Sequence, residues 1–275
     1  MSAVGNEVTV AYKGRVAIIT FNRPKKLNAL GADHYYELGQ KMREVAARDD
    51  IYITVLTGTG RFFSAGADVQ TTRPAGDGDD ARRAIVRSFI GNNLDITHTF
   101  YTHPKILVVA LNGPAVGLSA ALSAFGDFIY ATPHTYLLTP FSSLGLVAEG
   151  GASRAFVERL GIAKANEALI MSKRIPIEDL VSTGFVNKVL KPASGKTDDS
   201  DAFLKLVLEE VEERMGEHIN QDSMVKIKSL IRRPEREIME KQNVVEVFMG
   251  MERFLSGVPQ EEFLKLASGK KKHKI

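Results

Sequence analysis

The sequence contains no cysteine in its 275 residues. It therefore has no disulfide framework, no thiolate metal site and no cysteine nucleophile. Long apolar runs are also missing, because the longest stretches, such as residues 106–111, fall far short of the roughly 20 residues of a membrane-spanning helix. The N-terminus lacks a basic region followed by a long apolar one, so no secretory signal is expected. These absences predict a soluble chain that is not secreted and has no membrane span.

A strong excess of charge is absent as well. The 36 Lys and Arg residues nearly balance the 33 Asp and Glu residues, which leaves a net charge of +3. Much of that excess lies in the last six residues, 270–275, so the body of the protein is close to neutral. A neutral body lacks the electrostatic footprint of a nucleic-acid-binding protein, and we expect no nucleic-acid partner.

The patterns that are present predict an α/β core. Residues 7–12 and 15–22 alternate branched apolar with polar residues around Lys13-Gly14, which predicts a β-hairpin. Nearly unbroken apolar runs, typical of buried parallel strands, occupy residues 52–58, 106–113 and 127–132, and a further strand is predicted near 184–190. Helical patterns alternate with these runs at about 80–100, 117–125 and 151–161. This alternation indicates a parallel sheet with crossover helices.

Two further features predict helices and a boundary between regions. Apolar residues recur at helical spacing from residue 32 to residue 47, and Asp33 is a candidate cap for that helix. The polar stretch 191–200, with Pro and Gly, is a predicted linker. Residues 201–267 are helical in pattern, with predicted breaks at Pro234 and at 257–259. We therefore divide the chain into a core at 1–190 and a helical C-terminal region with a basic tail at 201–275.

Small residues cluster in two segments where strands are predicted to end, which is where α/β sheets bind ligands. In FFSAGAD, residues 62–68, they permit close backbone approach to a ligand, although an ordinary strand-to-helix loop explains the segment too. In NGPAVGLSAAL, residues 112–122, a turn leads into a helix whose first amides are suited to an oxyanion. Tight helix–sheet packing explains that segment equally well, and its spacing is not a dinucleotide fingerprint.

A third segment, LGLVAEGGAS at residues 144–153, places the single carboxylate Glu149 between apolar residues and two glycines. A carboxylate held among apolar side chains is a better base near neutral pH. The same residue precedes a predicted helix and is equally suited to stabilise its N-terminus. The residues alone leave both roles open.

Other candidates for chemistry have less support. His103 and His134 lie beside prolines without a second ligand at metal-binding spacing, so surface or capping roles are favoured over metal binding. The segment around Ser119 does not read G-x-S-x-G, so the nucleophile elbow of a hydrolase is missing.

In order, residues 22–30, 60–68, 112–122, 131–140 and 144–151 resemble the crotonase (enoyl-CoA hydratase/isomerase) superfamily over about residues 8–190. The resemblance implies an α/β crotonase-type spiral core of ββα repeats with a helical C-terminal trimerisation region. It implies a fatty acyl-CoA thioester as substrate and a homotrimer or a dimer of trimers. No metal and no redox cofactor are implied, since coenzyme A is part of the substrate.

The resemblance also assigns roles to individual residues. The backbone amides of Ala67 and Leu118 match the oxyanion hole that holds the thioester oxygen as it becomes an enolate. Ser64 and Ala65 match the loop that clasps the adenine end of CoA. Phe141 and the Leu118 side chain would keep water from the intermediate. Asn93 is similar to a polar residue that such isomerases place near the base.

Departures from the family pattern separate its activities. Hydratases hold a water between two glutamates at the places of Ala121 and Phe141, so hydration is disfavoured. Dienoyl-CoA isomerases also carry an acid at the Phe141 place, and an aspartate near Glu149. The single Glu149 matches Δ3,Δ2-enoyl-CoA isomerases of the fungal, peroxisomal kind. A Δ3,5-Δ2,4-dienoyl-CoA isomerase is the first alternative, and a non-catalytic acyl-CoA-binding homologue is the second.

The tail is similar to a peroxisomal address. His273-Lys274-Ile275 follows three lysines and departs from the small-basic-leucine pattern at two places, with His for the small residue and Ile for Leu. We expect peroxisomal import through the receptor for that signal. The other reading is a solvated end on a cytoplasmic protein.

Overall fold

The fold is that of a computed structural model, which describes residues 5–68 and 79–271. Its strands form a six-stranded sheet in the order β1-β2-β3-β4-β6-β9 and a small sheet in the order β5-β7-β8. The strands are β1 (Val8–Lys13), β2 (Val16–Phe21), β3 (Ile53–Gly58), β4 (Ile106–Leu111), β5 (Ala115–Val116), β6 (Phe128–Ala131), β7 (Tyr136–Leu138), β8 (Ile175–Pro176) and β9 (Lys188–Val189).

The large sheet is parallel except at its first pair, where β1 and β2 form the predicted antiparallel hairpin. Every residue of β3 and β4 is buried, as expected for parallel strands that are covered on both faces. Because β3 and β4 run parallel, the loops that follow them emerge at the same edge of the sheet. This edge carries the small-residue segments.

Nine α-helices lie in the described residues. They are α1 (Ala32–Ala46), α2 (Asp79–Ile85), α3 (Gly91–Tyr101), α4 (Leu118–Ser123), α5 (Ala152–Leu169), α6 (Ile177–Ser182), α7 (Ser200–Met215), α8 (Gln221–Leu255) and α9 (Val258–Ala267). A π-helical segment, Val86–Ile90, joins α2 to α3. Helix α5 is kinked at Gly161, whose φ is +74°.

The C-terminal helices pack against the core of the same chain. Phe203, Val207 and Val211 of α7 cover one face of the large sheet. Met239 of α8 belongs to the main hydrophobic core on the other face. Val247, further along α8, packs with residues of α2 and the π-helical segment. Helices α7 and α8 thus extend the core.

Two details of the sequence prediction are wrong. Asp33 does not cap α1, because the N-cap is Gly31, whose amide donates to Nδ1 of His34 at 3.1 Å. Pro234 does not break the C-terminal helices, because α8 runs through it from Gln221 to Leu255. Next to the proline, Arg232 pairs with Asp127 at 3.0 Å, and this tertiary contact supports the helix where the proline removes an amide.

No helix in the described part of the chain is long and apolar enough to cross a bilayer. Residues 273–275, which carry the predicted peroxisomal signal, lie outside the described residues.

Candidate active site

A cavity of about 400 Å³ opens where the loops after β3 and β4 leave the sheet. Among the sequence-predicted site residues, the structure brings together six in its wall: Ala65, Ala67, Asn93, Leu118, Phe141 and Glu149. Ser64 is the exception, since it is fully buried and lies behind the wall. Residues far apart in sequence thus converge on one cavity.

The amide of Ala67 faces away from the strand-like contact that holds its loop. Ala67 forms an isolated parallel bridge with Leu30. In that bridge, Leu30 donates to the carbonyl of Gly66 at 2.8 Å, and Asp68 donates to the carbonyl of Leu30 at 3.1 Å. Leu30 therefore engages the two neighbours of Ala67, and the amide of Ala67 itself points to the opposite side. That N–H is available to a ligand in the cavity.

The amide of Leu118 is available for a different reason. Leu118 is the first residue of α4, and the first amides of a helix have no acceptor within it. The preceding Gly117 has φ 62° and ψ −134°, a conformation that favours glycine. This turn directs the start of α4 towards the loop of residues 62–68, which carries Ala67. A Cβ atom at Gly66 would stand only 3.0 Å from the carbonyl oxygen of Val116, so the two loops lie side by side.

Buried hydroxyl groups join these two loops from behind. Ser119 donates to Ser64 at 3.0 Å, and Ser64 donates to the carbonyl of Asn28 at 2.8 Å. The Ser64 oxygen also accepts from the amide of Gly66 at 3.1 Å, and the Ser119 oxygen lies 2.9 Å from the phenol oxygen of Tyr35. The hydroxyl of Ser64 thus holds the loop that presents Ala67.

Glu149 reaches the cavity from the segment between the turn at Ser142–Leu144 and helix α5. Its side chain is partly buried, and the next residue, Gly150, has φ 69°. A Cβ atom at Gly150 would stand 2.6 Å from Cδ1 of Leu118 and 3.0 Å from Cβ of Ala121. Glycine permits this close approach, so the residue that follows Glu149 lies directly against α4.

Capping of α5, the second role left open for Glu149, is carried out by another acid. The amides of Gly151 and Ser153 donate to the carboxylate of Glu246 at 2.7 and 2.9 Å. Glu246 belongs to α8 and is 4% exposed. Sequence reasoning missed this residue, although it stands in an apolar run much as Glu149 does.

The rest of the cavity wall is largely apolar. Phe141 is buried in the wall, and Ala121 is buried behind it. Asn93 is also buried, and its Oδ1 atom has no hydrogen-bond partner within residues 5–68 and 79–271. Apolar side chains from the C-terminal helices, Phe254, Phe263 and Leu266, line the cavity too.

Two carboxylates stand in the described part of the wall, Glu149 and Asp68. Asp68 lies 3.2 Å from Nζ of Lys26 and 3.4 Å from the guanidinium of Arg23, so it is engaged in ion pairs with two cationic side chains. The shape of the wall suits an apolar chain beside one carboxylate and two amides.

The two histidines are placed elsewhere. His103, for which a surface or capping role was expected, is buried, and its Nε2 atom lies 2.8 Å from the hydroxyl oxygen of Thr54. Burial lowers the pKa of His103 well below its usual value. His134 donates to the carbonyl of Arg61 at 3.2 Å. Among the described residues, no group of three His, Asp or Glu side chains is arranged to hold a metal ion.

Known proteins resemble this chain over nearly its whole length. A Pyricularia oryzae protein named Delta(3,5)-Delta(2,4)-dienoyl-CoA isomerase is 60% identical over 275 residues, which cover 97% of this chain and 98% of that protein. A Saccharomyces cerevisiae protein named 3,2-trans-enoyl-CoA isomerase is 32% identical over 276 residues, with 98% and 97% covered.

The fold has solved counterparts as well. A crystal structure of an enoyl-CoA hydratase/isomerase from Pseudoalteromonas atlantica superposes with a TM-score of 0.79 at 23% identity, over 98% of this chain and 100% of that one. The family model described as enoyl-CoA hydratase/isomerase matches residues 11–254. With the mostly parallel sheet and the helical C-terminal region described above, these findings show that the chain belongs to the enoyl-CoA hydratase/isomerase family and has the crotonase fold.

Proposed function

We propose that this isomerase converts 3-enoyl-CoA thioesters to trans-2-enoyl-CoA, a step in the β-oxidation of unsaturated fatty acids. The observation that carries the proposal is the convergence of one carboxylate, Glu149, and two backbone amides, those of Ala67 and Leu118, on one apolar cavity. The names of the relatives support isomerisation, since both describe double-bond isomerases.

The reaction needs one base and one site for negative charge. The carboxylate of Glu149 takes the proton from C2, and the electron pair of that C–H bond moves into the thioester to give a dienolate. The amides of Ala67 and Leu118 donate to the thioester oxygen, where negative charge develops only during the reaction. The protonated Glu149 then returns the proton at C4, and the double bond moves from C3–C4 to C2–C3. Atoms and charge balance without a cofactor.

The wall around the base protects this intermediate. Phe141 and the side chain of Leu118 are buried apolar groups of the cavity wall. Water activation by the family's route uses a pair of acids, and here Ala121 and Phe141 occupy those places. We therefore expect isomerisation to exceed hydration.

A second candidate is isomerisation of 3,5-dienoyl-CoA to 2,4-dienoyl-CoA. It is favoured by the 60% identity to the Pyricularia oryzae protein of that name. In that reaction the proton taken from C2 returns at C6. The base must therefore reach two carbons that lie further apart than C2 and C4. One carboxylate suits the shorter transfer better, and this favours the mono-enoyl substrate.

Turnover of matched substrates tests the proposal. The protein is incubated with 3-hexenoyl-CoA, with 3,5-octadienoyl-CoA and with 2-butenoyl-CoA, and absorbance follows the gain or loss of conjugation. We expect the first to be isomerised and hydration of the last to be at least about 100-fold slower. Turnover of the dienoyl ester alone would replace the proposal by the second candidate. Hydration at a similar rate would contradict both.

Compartment and assembly belong to the same proposal. We propose a peroxisomal homotrimer or dimer of trimers, and one relative, from Mus musculus, is named enoyl-CoA delta isomerase 3, peroxisomal. Residues appended after Ile275 should abolish peroxisomal import in cells, and unchanged import would contradict the tail as its signal. Light scattering of the purified protein measures the assembly, and a monomeric mass would contradict the trimer.

A further inference from the structure

The start of helix α5 lacks a cap of its own. The N-cap residue is Gly151, which has no side chain to accept from the first amides, and the first turn contains no acidic residue. Amides at a helix start need an acceptor, particularly where water is excluded. Two of them, on Gly151 and Ser153, are bonded to a side chain 93 to 95 residues further along the chain.

That side chain, Glu246 of α8, is used fully by this helix start. One carboxylate oxygen accepts from the amide of Gly151, and the other accepts from the amide and the hydroxyl of Ser153. Gln242, one turn earlier on α8, donates to the same hydroxyl at 2.6 Å. Burial raises the pKa of Glu246, whereas the hydrogen bonds from Ser153 and Gly151 favour its ionised form. The positive end of the α5 dipole favours the ionised form too.

The segment that these bonds hold is the one that carries Glu149. Gly150 and Gly151 have φ values of 69° and 72°, and neither has a side chain that fixes the backbone locally. The carbonyl of Glu149 accepts from the amide of Ala152 at 3.3 Å, so the backbone of Glu149 is continuous with the first turn of α5. Contacts from outside the segment therefore determine the direction in which Glu149 points.

We propose that Glu246 is a positioning residue for Glu149, which it holds beside the oxyanion amides by fixing the Gly151–Ser153 helix start. This inference rests on the proposed function, in which Glu149 is the base. It assigns α8 a part in the proton transfer, although Glu246 itself touches no reacting atom. A base displaced by about 1 Å loses on the order of 10²-fold in rate, so the hydrogen bonds of one remote carboxylate matter for turnover.

Glu246→Gln provides the principal test. The amide retains the size of the side chain, but its NH2 group cannot accept from an N–H, so at least one of the bonds to α5 is lost. Turnover number and KM are measured with 3-hexenoyl-CoA at a temperature well below the melting temperature of each variant, alongside the affinity for hexanoyl-CoA. Glu237→Gln, which neutralises an exposed carboxylate of the same helix, is the matched control.

We expect Glu246→Gln to lower kcat by about tenfold or more, with KM and hexanoyl-CoA affinity within about threefold of wild type, because the loops that present the amides are untouched. Hydrogen–deuterium exchange should accelerate at the amides of Gly151 and Ser153. Glu237→Gln should match wild type. A folded Glu246→Gln protein with wild-type kcat would overturn the proposal, even if its melting temperature were lower.

Two further proteins keep the outcome interpretable. Ser153→Ala removes one hydroxyl contact to Glu246 and is expected to lower kcat about threefold in the same direction. If Glu246→Gln does not fold, an unchanged kcat in Ser153→Ala overturns the inference. Glu149→Gln separates the two levels: if it retains turnover, the proposed function fails, whereas an inactive Glu149→Gln beside a fully active Glu246→Gln rejects only the positioning role.

Discussion

The hydroxyl group of Ser119 donates a hydrogen bond to the hydroxyl group of Ser64 across 3.0 Å, and this bond joins the loops that present the Leu118 and Ala67 amides. Ser119→Ala breaks the connection without removing either amide. We expect kcat to fall about tenfold, less than the 10²–10³-fold that follows loss of one oxyanion donor. Steady-state kinetics measure the effect. Ser123→Ala, which removes a buried hydroxyl that donates to the carbonyl of Ala120 in the same helix, is the control.

The Leu118 amide can be removed by a single substitution. Because Leu118 is the first residue of α4, proline is tolerated there by the helix, and it has no N–H. Leu118→Pro should lower kcat about 10²–10³-fold relative to Leu118→Ala, which loses the same side chain but keeps the amide. Comparing the two variants separates the donor from the apolar wall. Equal activity of the two would show that this amide does not stabilise the intermediate.

The Glu149 carboxylate should be indispensable for isomerisation. Gln matches its size but cannot take up the C2 proton, so Glu149→Gln should lose about 10²–10⁴-fold in kcat. The melting temperature and the affinity for a saturated acyl-CoA should equal those of the wild-type protein, since Glu246 caps α5. Glu213→Gln, at an exposed position of α7, controls for the loss of charge. Near wild-type turnover, with a reduced melting temperature, would assign Glu149 a structural role.

Stability should depend on pH through the buried His103. Its folded-state pKa lies below the unfolded value of about 6.5, so the folded state favours the neutral ring. The contribution to stability is present above pH 6.5 and is lost as the pH falls, because the unfolded state then binds the proton more readily. Each kcal/mol lost lowers the melting temperature by roughly 2–4 °C in a chain of this size.

Thermal melts between pH 7 and pH 5 measure this dependence. His103→Gln keeps a hydrogen-bonding group near Thr54 but does not titrate, so its melting temperature should change less over that interval than that of wild type. His218→Gln, at an exposed position, should retain the wild-type slope. A slope unchanged by His103→Gln would exclude His103 as its source.

The sequence predicts the elements whose burial is simple. Strand β4 is an unbroken apolar run because both of its faces are covered. The hairpin of β1 and β2 was predicted from alternation, yet β2 is also buried on both faces, with Ala17 and Ile19 in one core cluster and Ile18 in the other. Strands β5 and β8 were missed because two residues carry no periodicity. The break predicted at Pro234 was wrong because tertiary contacts support the helix around it.

The candidate site was predictable only where its residues are local. Ala67, Leu118 and Glu149 stand in short segments whose glycines and alanines mark a close backbone approach. Glu246 could not be found in this way, because its partner Gly151 is 95 residues away and no local spacing joins them. Similarly, the direction of the Ala67 amide follows from a bridge to Leu30, a long-range contact.

The cavity wall is built from two separate parts of the chain. The amides of Ala67 and Leu118 and the carboxylate of Glu149 come from residues 67–149, whereas Phe254, Phe263 and Leu266 come from the last two described helices. Under the proposed function, we expect substitutions in those helices to change the space for the acyl chain and to leave the two amides and Glu149 in place. We therefore expect the acyl-chain preference of this protein to depend on its C-terminal helices.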